Sequence, residues 1–239
     1  MSTPFGPRTA VVAGASRGIG LATARALAGA GARVAMLARG AEALVARARE
    51  LGNAAIPLPC DVTDPAAVAL AVARLESALG APPDLLVNSA GLFPMASIVE
   101  TSAESFAQTV AANLVAPFLV IRALLPGMTE RGRGHIVTVG SVADRTIFPG
   151  NAAYAASKFG ARALHEVLRA ELRGTGVRAT LVSPAATDTP IWDALDPDAR
   201  ADLPDRADML RPEDVADAIL YAVTRAPAVN IDELRLSRS

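Results

Sequence analysis

The sequence predicts an α/β fold: a doubly wound parallel sheet of about seven strands with helices on both faces. Three observations predict it. Short β-rich runs alternate with helix-length runs along the chain. Several of the short runs are apolar throughout, as strands covered on both faces require. The first of them feeds a glycine-rich turn that opens a helix.

In order, strands are expected at 9–13 (TAVVA), 33–38 (RVAMLA), 55–60, 84–87, 135–139 (HIVTV), 177–182 and 232–236. Helices are expected over 19–30, 41–51, 65–79, 102–128, 152–173 and 212–224. Asp64 followed by Pro65 is an N-cap followed by proline at the first helical position. Pro212 opens the last helix, with Glu213 and Asp214 favourable in its first turn. Gly31, Gly52 and Gly80 mark helix ends. No repeat or linker divides residues 1–239, so one domain with right-handed crossovers is expected. The aperiodic, Asp- and Pro-rich stretch 185–211 reads as a substrate lid or a disordered segment.

Composition narrows the function. Aromatic residues make up 4% of the chain, too few for a stacking platform for single-stranded nucleic acid. The net charge of −1 offers no polyanion-binding surface. The single cysteine, Cys60, excludes an internal disulfide and a cysteine metal cluster, and reads as a small buried residue. Residues 1–8 lack the pattern of a secretory signal, and no run of about 18 uninterrupted apolar residues marks a membrane span. A cytoplasmic location without membrane or nucleic-acid partners is expected. His135 opens a strand and His165 lies mid-helix; no metal-ligand spacing surrounds them, so both read as structural and no metal is expected.

The turn Gly14-Ala15-Ser16-Arg17-Gly18-Ile19-Gly20 allows close backbone approach and presents free helix N–H groups to a pyrophosphate. The plainer alternative is that its glycines serve packing alone. Tyr154 and Lys158, four apart in a helical run, share one face. An ammonium there is expected to lower a phenol from its ordinary value of about 10 toward neutral pH. Ser141 ends a strand 13 positions earlier; its hydroxyl either steadies a developing alkoxide or merely caps a turn. Asn113 lies mid-helix, where asparagine is a poor former. Pro117 has no N–H for the Asn113 carbonyl, which either leaves that carbonyl to water or simply kinks the helix.

The Gly-x-x-x-Gly-x-Gly loop, Asn88-Ser89-Ala90-Gly91, Ser141 and the Tyr154/Lys158 pair resemble the short-chain dehydrogenase/reductase family, compact single-domain branch. The resemblance covers nearly the whole chain. Arg211 to Ala216 and Val229 to Leu234 are similar to the 3-hydroxy-acid and serine dehydrogenase group. It implies a Rossmann-type oxidoreductase moving a hydride between a nicotinamide cofactor and a carbonyl or secondary alcohol. Tyr154 would be the acid/base, Lys158 would hold the nicotinamide ribose, Ser141 would bind the substrate oxygen, and Asn113 would hold a water linking Lys158 to solvent. Gly14, Ser16, Arg17, Gly18, Ile19 and Gly20 would cradle the pyrophosphate. Asp61 and Val62 would contact adenine. Asn88 would brace sheet and cofactor, and Ala90 and Gly91 would leave room for it. Pro184, Thr187 and Thr189 would touch the nicotinamide amide.

Three departures from the family pattern matter. Ala13 stands where threonine is common, which removes one loop-tying hydroxyl. Ala185 replaces glycine, and Thr187 an aliphatic residue, beside the nicotinamide. Ala38 stands where NAD-dependent members carry aspartate, with Arg39 next to it. Arg39 and Arg17 would then clamp a 2′-phosphate, so NADP(H) is expected over NAD(H), unless both are plain surface charges. Phe93, Phe148, Ile191 and Trp192 are expected to line a partly apolar substrate pocket and Asp144 and Arg145 to read a polar group, or all are ordinary loop surface. Assembly through 102–128 and 152–173 implies a homodimer or homotetramer. The rival readings are a non-catalytic NADP(H)-binding sensor or scaffold, and an extended-branch enzyme, which suits a longer chain.

Overall fold

The computed structural model describes residues 8–239. Of the stretch 1–8 read above for a targeting signal, all but Arg8 lies outside them. Seven strands form one all-parallel sheet: β1 (Thr9–Ala13), β2 (Arg33–Ala38), β3 (Ala55–Pro59), β4 (Leu85–Asn88), β5 (Gly134–Val139), β6 (Val177–Pro184) and β7 (Glu233–Leu236). Their order is β3-β2-β1-β4-β5-β6-β7. The helices are α1 (Gly18–Gly29), α2 (Ala41–Leu51), α3 (Pro65–Leu79), α4 (Ala103–Val110), α5 (Ala116–Glu130), α6 (Ala152–Glu171) and α7 (Pro212–Val223).

Successive side chains on a strand point to opposite faces, so each apolar strand feeds two cores. Val11 and Ala13 join Leu37, Leu86 and Ile136 under α3, α5 and α6. Ala10 and Val12 join Met36, Val87 and Val137 under α1, α2 and α7. Helix ends follow the expected punctuation. Asp64 accepts a hydrogen bond from the Ala66 N–H at 2.9 Å ahead of Pro65, and Gly80 closes α3 in the left-handed conformation.

The helix expected over 102–128 runs over Ala103–Glu130 but changes pitch midway. A π-helical turn, Ala111–Val115, separates α4 from α5 and contains Asn113. Carbonyls in such a turn pair five residues on, as the Ala116 N–H does with the Ala111 carbonyl. With that spacing it is the Ala112 carbonyl that meets Pro117, which has no N–H to give. The run Ala103–Glu130 has a mean hydropathy of 1.7 over its most apolar window and is long and apolar enough to cross a membrane. Here Ala116, Val120, Ile121, Leu124 and Met128 pack into the core.

Strand order reverses between β1 and β4. The loops leaving the carboxyl ends of these two strands therefore diverge and open a crevice between them, where α/β sheets bind ligands.

Candidate active site

A cavity of about 1260 Å³ fills that crevice. It exceeds the usual space for one small ligand and runs from the start of α1 past α6. Its floor is the β1–α1 turn. Gly14 has φ +83°, and a Cβ there would lie 2.7 Å from the Ala90 nitrogen. A Cβ on Gly20 would lie 2.2 Å from the Gly14 carbonyl oxygen. Both glycines are thus required by backbone crowding. No side chain caps the first turn of α1. Its N–H groups and dipole face the cavity beside Ser16, Arg17, Gly18 and Ile19, a geometry that fits a pyrophosphate.

At the end of β2, Ala38, Arg39 and Gly40 line the cavity; Arg39 is exposed. Asp61 and Val62 line it at the end of β3, beside Cys60 and Thr63. The Thr63 N–H and hydroxyl both donate to Asp61, at 3.0 and 2.7 Å, and hold its carboxyl below its ordinary value, with a smaller contribution from Arg39. Burial first, and then Asp61 and Asp64, push the Cys60 thiol up to about 11, so it stays protonated.

Tyr154, Lys158 and Ser141 meet at the opposite end, and all three line the cavity. The Ser141 hydroxyl lies close enough to the Tyr154 phenol to lower it, and Ser141 Oγ accepts from the Ala143 N–H at 3.2 Å. Lys158 Nζ donates to the Val139 carbonyl at 3.0 Å and lies 5.5 Å from the Tyr154 ring centroid. The expected lowering of the phenol by the ammonium is not what these protein groups produce. Burial raises Tyr154, the nearby Ser141 hydroxyl partly offsets this, and the Asp144 charge raises it further. Burial also pushes Lys158 down to about 8, against the Asp144 charge. The reason is shared: both groups lose water, so both charged forms are disfavoured.

Of the other expected residues, Ala90, Gly91, Pro184, Thr187 and Thr189 line the cavity, and Gly20, Asn88 and Asn113 do not. Gly20 sits beneath the Gly14 carbonyl. Asn88 is buried at the end of β4, its Nδ2 without a partner. Asn113 ties the loop after β4 to α6: Oδ1 accepts from the Leu92 N–H, and Nδ2 donates to the Leu92 carbonyl and to Ser157 Oγ, all within 2.9 Å.

Phe93, Phe148, Ile191 and Trp192 all line the cavity. Phe93 packs edge-on against Tyr154 at 4.6 Å and against Trp192 at 4.9 Å. The segment 185–211 is folded into short 3-10 turns. Arg206 staples it through Asp188 at 2.6 Å and Asp193 at 2.8 Å. The Trp192 indole donates to the Thr187 carbonyl at 3.1 Å. Sequence reasoning missed Asn151, which also lines the cavity; its place three residues before Tyr154 was the available signal. Neither His135 nor His165 lines it, and among the described residues no group of three His, Cys, Asp or Glu side chains is arranged to hold a metal.

Asp144 and Arg145 do not read a ligand; this corrects the expectation. The Asp144 side chain is fully buried and faces away from the cavity, bonded by Ser183 Oγ at 2.6 Å and Arg145 at 2.7 Å, with Arg162 at 3.5 Å. Arg145 also pairs with Glu233 of β7. A Cβ on Gly140 would lie 2.9 Å from both Asp144 Oδ2 and Ser183 Oγ, so glycine makes room for the cluster. One carboxylate thus joins the Ser141 loop, β6 and α6. Replacing it with a neutral amide leaves two partly buried guanidiniums short of a counter-charge. Asp144→Asn is expected to lower stability by about 2–3 kcal/mol in urea titrations; a loss under about 0.5 kcal/mol would show that the cluster contributes little.

The profile of the short chain dehydrogenase family matches residues 8–200. The chain is 38% identical over 238 residues to a glycine betaine reductase of Emericella nidulans, covering 97% of this chain but 19% of that much longer protein. It is 37% identical to the D-threitol dehydrogenase of Mycolicibacterium smegmatis, over 93% of this chain and 88% of that one. Among solved structures it is similar to a metagenomic short-chain oxidoreductase in complex with NADP, with a TM-score of 0.84, 33% identity and 99% of each chain covered.

Proposed function

The chain belongs to the short-chain dehydrogenase family, and from that premise we propose that it moves a hydride between NADP(H) and a carbonyl or secondary alcohol. The observation that carries this reading is that Ser141, Tyr154 and Lys158 together line a cavity that begins at the N-terminus of α1. When bound, the nicotinamide supplies or accepts the hydride. Tyr154 gives the proton to the substrate oxygen in reduction and takes it back in oxidation. Ser141 donates to that oxygen as its charge develops. Lys158, behind the Tyr154 ring, holds the ribose hydroxyls and refills the phenol. Asn113 acts from behind, locking the π turn against α6 so that a water held there meets Lys158.

Gly14, Ser16, Arg17, Gly18 and Ile19 hold the pyrophosphate on a floor that Gly20 keeps compact. Asp61 and Val62 frame the adenine. Asn88, Ala90 and Gly91 shape the middle of the cofactor site, and Pro184, Thr187 and Thr189 meet the nicotinamide amide. Residues 185–211 serve as a lid, with Ile191 and Trp192 toward the substrate. Exposed Phe106, Phe118, Phe159 and Val167 on α4, α5 and α6 support assembly into a homodimer or homotetramer through these helices.

The NADP(H) preference rests on the end of β2. Ala38 offers no carboxylate to the ribose, and exposed Arg39 and Arg17 stand at the same end of the cavity for a 2′-phosphate. With any reducible carbonyl, kcat/KM for NADPH is expected to exceed that for NADH by at least about tenfold, a single charge-assisted contact of about 1.4 kcal/mol. Arg39→Asp is expected to bring the ratio near unity. Equal use of both cofactors by the unaltered protein would overturn the preference. A screen of aldehydes, ketones, hydroxy acids and secondary alcohols, followed by nicotinamide absorbance, tests the reaction itself. Cofactor binding without turnover of any of them would favour the sensor reading, although a sensor has no use for a paired phenol and hydroxyl.

A further inference from the structure

Asp144 does not line the cavity, yet its carboxylate reaches the backbone that Lys158 holds. Lys158 Nζ donates to the Val139 carbonyl at 3.0 Å. The next residue, Gly140, is tied to β6, its N–H donating to the Val182 carbonyl at 2.7 Å. A Cβ on Gly140 would lie 2.9 Å from Asp144 Oδ2. The ammonium and the carboxylate therefore meet the same link of chain, Val139–Gly140, just before Ser141. Both are shielded from water: Lys158 is 7% exposed and Asp144 1%. Charges placed in this way act on each other more strongly than the same pair in water.

The carboxylate is held in place. Ser183 Oγ donates to Oδ2 at 2.6 Å, Arg145 donates to Oδ1 at 2.7 Å, and Arg162 lies 3.5 Å from Oδ1. Both arginines also pair with Glu233 of β7. Two carboxylates and two guanidiniums thus make a cluster with no net charge. The groups packed about Lys158 and this carboxylate are Tyr154 and Arg162 from α6, Ser141 and Arg145 from the loop after β5, Ser183 from β6 and Glu233 from β7. Arg162 stands one helical turn beyond Lys158, so a positive charge neighbours the lysine on its own helix. Without the Asp144 charge the cluster would be positive. That charge opposes burial at Lys158, which settles at about 8, and favours the protonated form of Tyr154 as well.

We propose that Asp144 is a positioning residue for the proton of this site: fixed against the link of chain that Lys158 grips, its carboxylate keeps the lysine charged and sets the site for carbonyl reduction near neutral pH. In reduction the carbonyl carbon gains a hydride from the nicotinamide and its oxygen gains the Tyr154 proton. The Lys158 ammonium restores that proton to the phenol and becomes a neutral amine, which water recharges. The charged lysine is therefore the loaded form, and Asp144 acts through it. This rests on reading the site as one for carbonyl and alcohol chemistry, and the test separates the two ideas.

Lys158 is the chain's single lysine, so the full chain grown with lysine isotopically labelled at Cε gives one resonance. Its shift with pH reads the ammonium directly, with no turnover. In the unaltered protein the midpoint is expected at about 8. Asp144→Asn is expected to lower it by at least about half a pH unit. A merely structural role predicts the opposite, because a loosened site admits water and raises a buried lysine toward its ordinary value. Glu233→Gln removes a charge from the same cluster at a partly exposed position. It is expected to lower the midpoint by about half as much, and it decides the matter if Asp144→Asn does not fold. A midpoint that stays or rises in either variant overturns the proposal. Turnover with NADPH is scored separately, and the pH at which kcat for reduction falls to half is expected to move down with the lysine. A limb that stays put while the resonance moves also overturns the proposal. A moved resonance with no turnover of any carbonyl removes the proposed reaction and leaves the hold of Asp144 on the lysine standing; turnover with an unmoved resonance does the reverse.

Discussion

Tyr154→Phe is expected to lower kcat by about a thousandfold, within the range for loss of a general acid/base, while the dissociation constant for NADPH moves by less than about threefold. The substitution deletes one oxygen and keeps the ring. The 4.6 Å edge contact with Phe93 is retained, and so is the bond from the Ala143 N–H to Ser141 Oγ. Loss of packing therefore does not account for a large effect. What disappears is the proton carried by a phenol that burial raises above its ordinary value. A raised phenol is a reluctant base, so oxidation of an alcohol is expected to speed up with pH well past neutrality in the unaltered protein. That rise should vanish in the variant. Steady-state rates across pH 6 to 10 with tryptophan fluorescence for cofactor binding check both halves, since Trp192 lies on the cavity wall. A loss of less than about tenfold would remove Tyr154 from the chemistry.

The raised phenol also shows where reading the sequence stops. Tyr154 and Lys158 are legible as a pair because one helix fixes their spacing. Their electrostatics are not, because these depend on how much water the fold removes and on Asp144, whose place is set by Ser183 from β6 and Arg162 from α6. Next to Ser141 in sequence, Asp144 looks like pocket surface. The crossover from β5 to α6 turns it inward. Elements with local punctuation were readable to the residue: α2 and α3 begin and end as expected, with Asp64-Pro65, Gly52 and Gly80 at their boundaries. The π turn at Ala111–Val115 carries no residue signature of its own, so 102–128 reads as one helix. The stapling of 185–211 depends on Arg206 reaching Asp188 and Asp193, 18 and 13 residues away, a pairing that no periodicity announces. Asn113 was legible as a candidate. Its actual bonds, to Leu92 and Ser157, span 21 and 44 residues and follow from the topology.

The chain's two histidines predict its response to acid, and here too burial decides. His135 is 1% exposed on β5. Its Nε2 lies 2.8 Å from Thr180 Oγ1, and the Thr180 hydroxyl itself donates to the Ile231 carbonyl at 2.7 Å. Thr180 therefore accepts from His135, which places the neutral ring's proton on Nε2 and leaves Nδ1 buried without a partner. A second proton would sit on Nδ1 with no acceptor. His165 is similar, with Nδ1 3.0 Å from Thr138 Oγ1 and Nε2 unpartnered. Burial depresses His135 to about 3 and His165 to about 4. In the unfolded chain both titrate near 6.5. Between pH 6.5 and about 4 the unfolded state thus binds more protons, so stability falls as pH falls through that window. It is fully present above about pH 7 and flat again below the folded values. At pH 5 each histidine has cost about 2 kcal/mol, so unfolding in urea at pH 5 is expected to require about 4 kcal/mol less than at pH 7.5. Lys158, pushed down to about 8, titrates above this window, and carboxylates titrate largely below it. His165→Gln is expected to halve the difference. If urea midpoints at pH 7.5 and 5 coincide, the two imidazoles are not buried neutral in the folded protein.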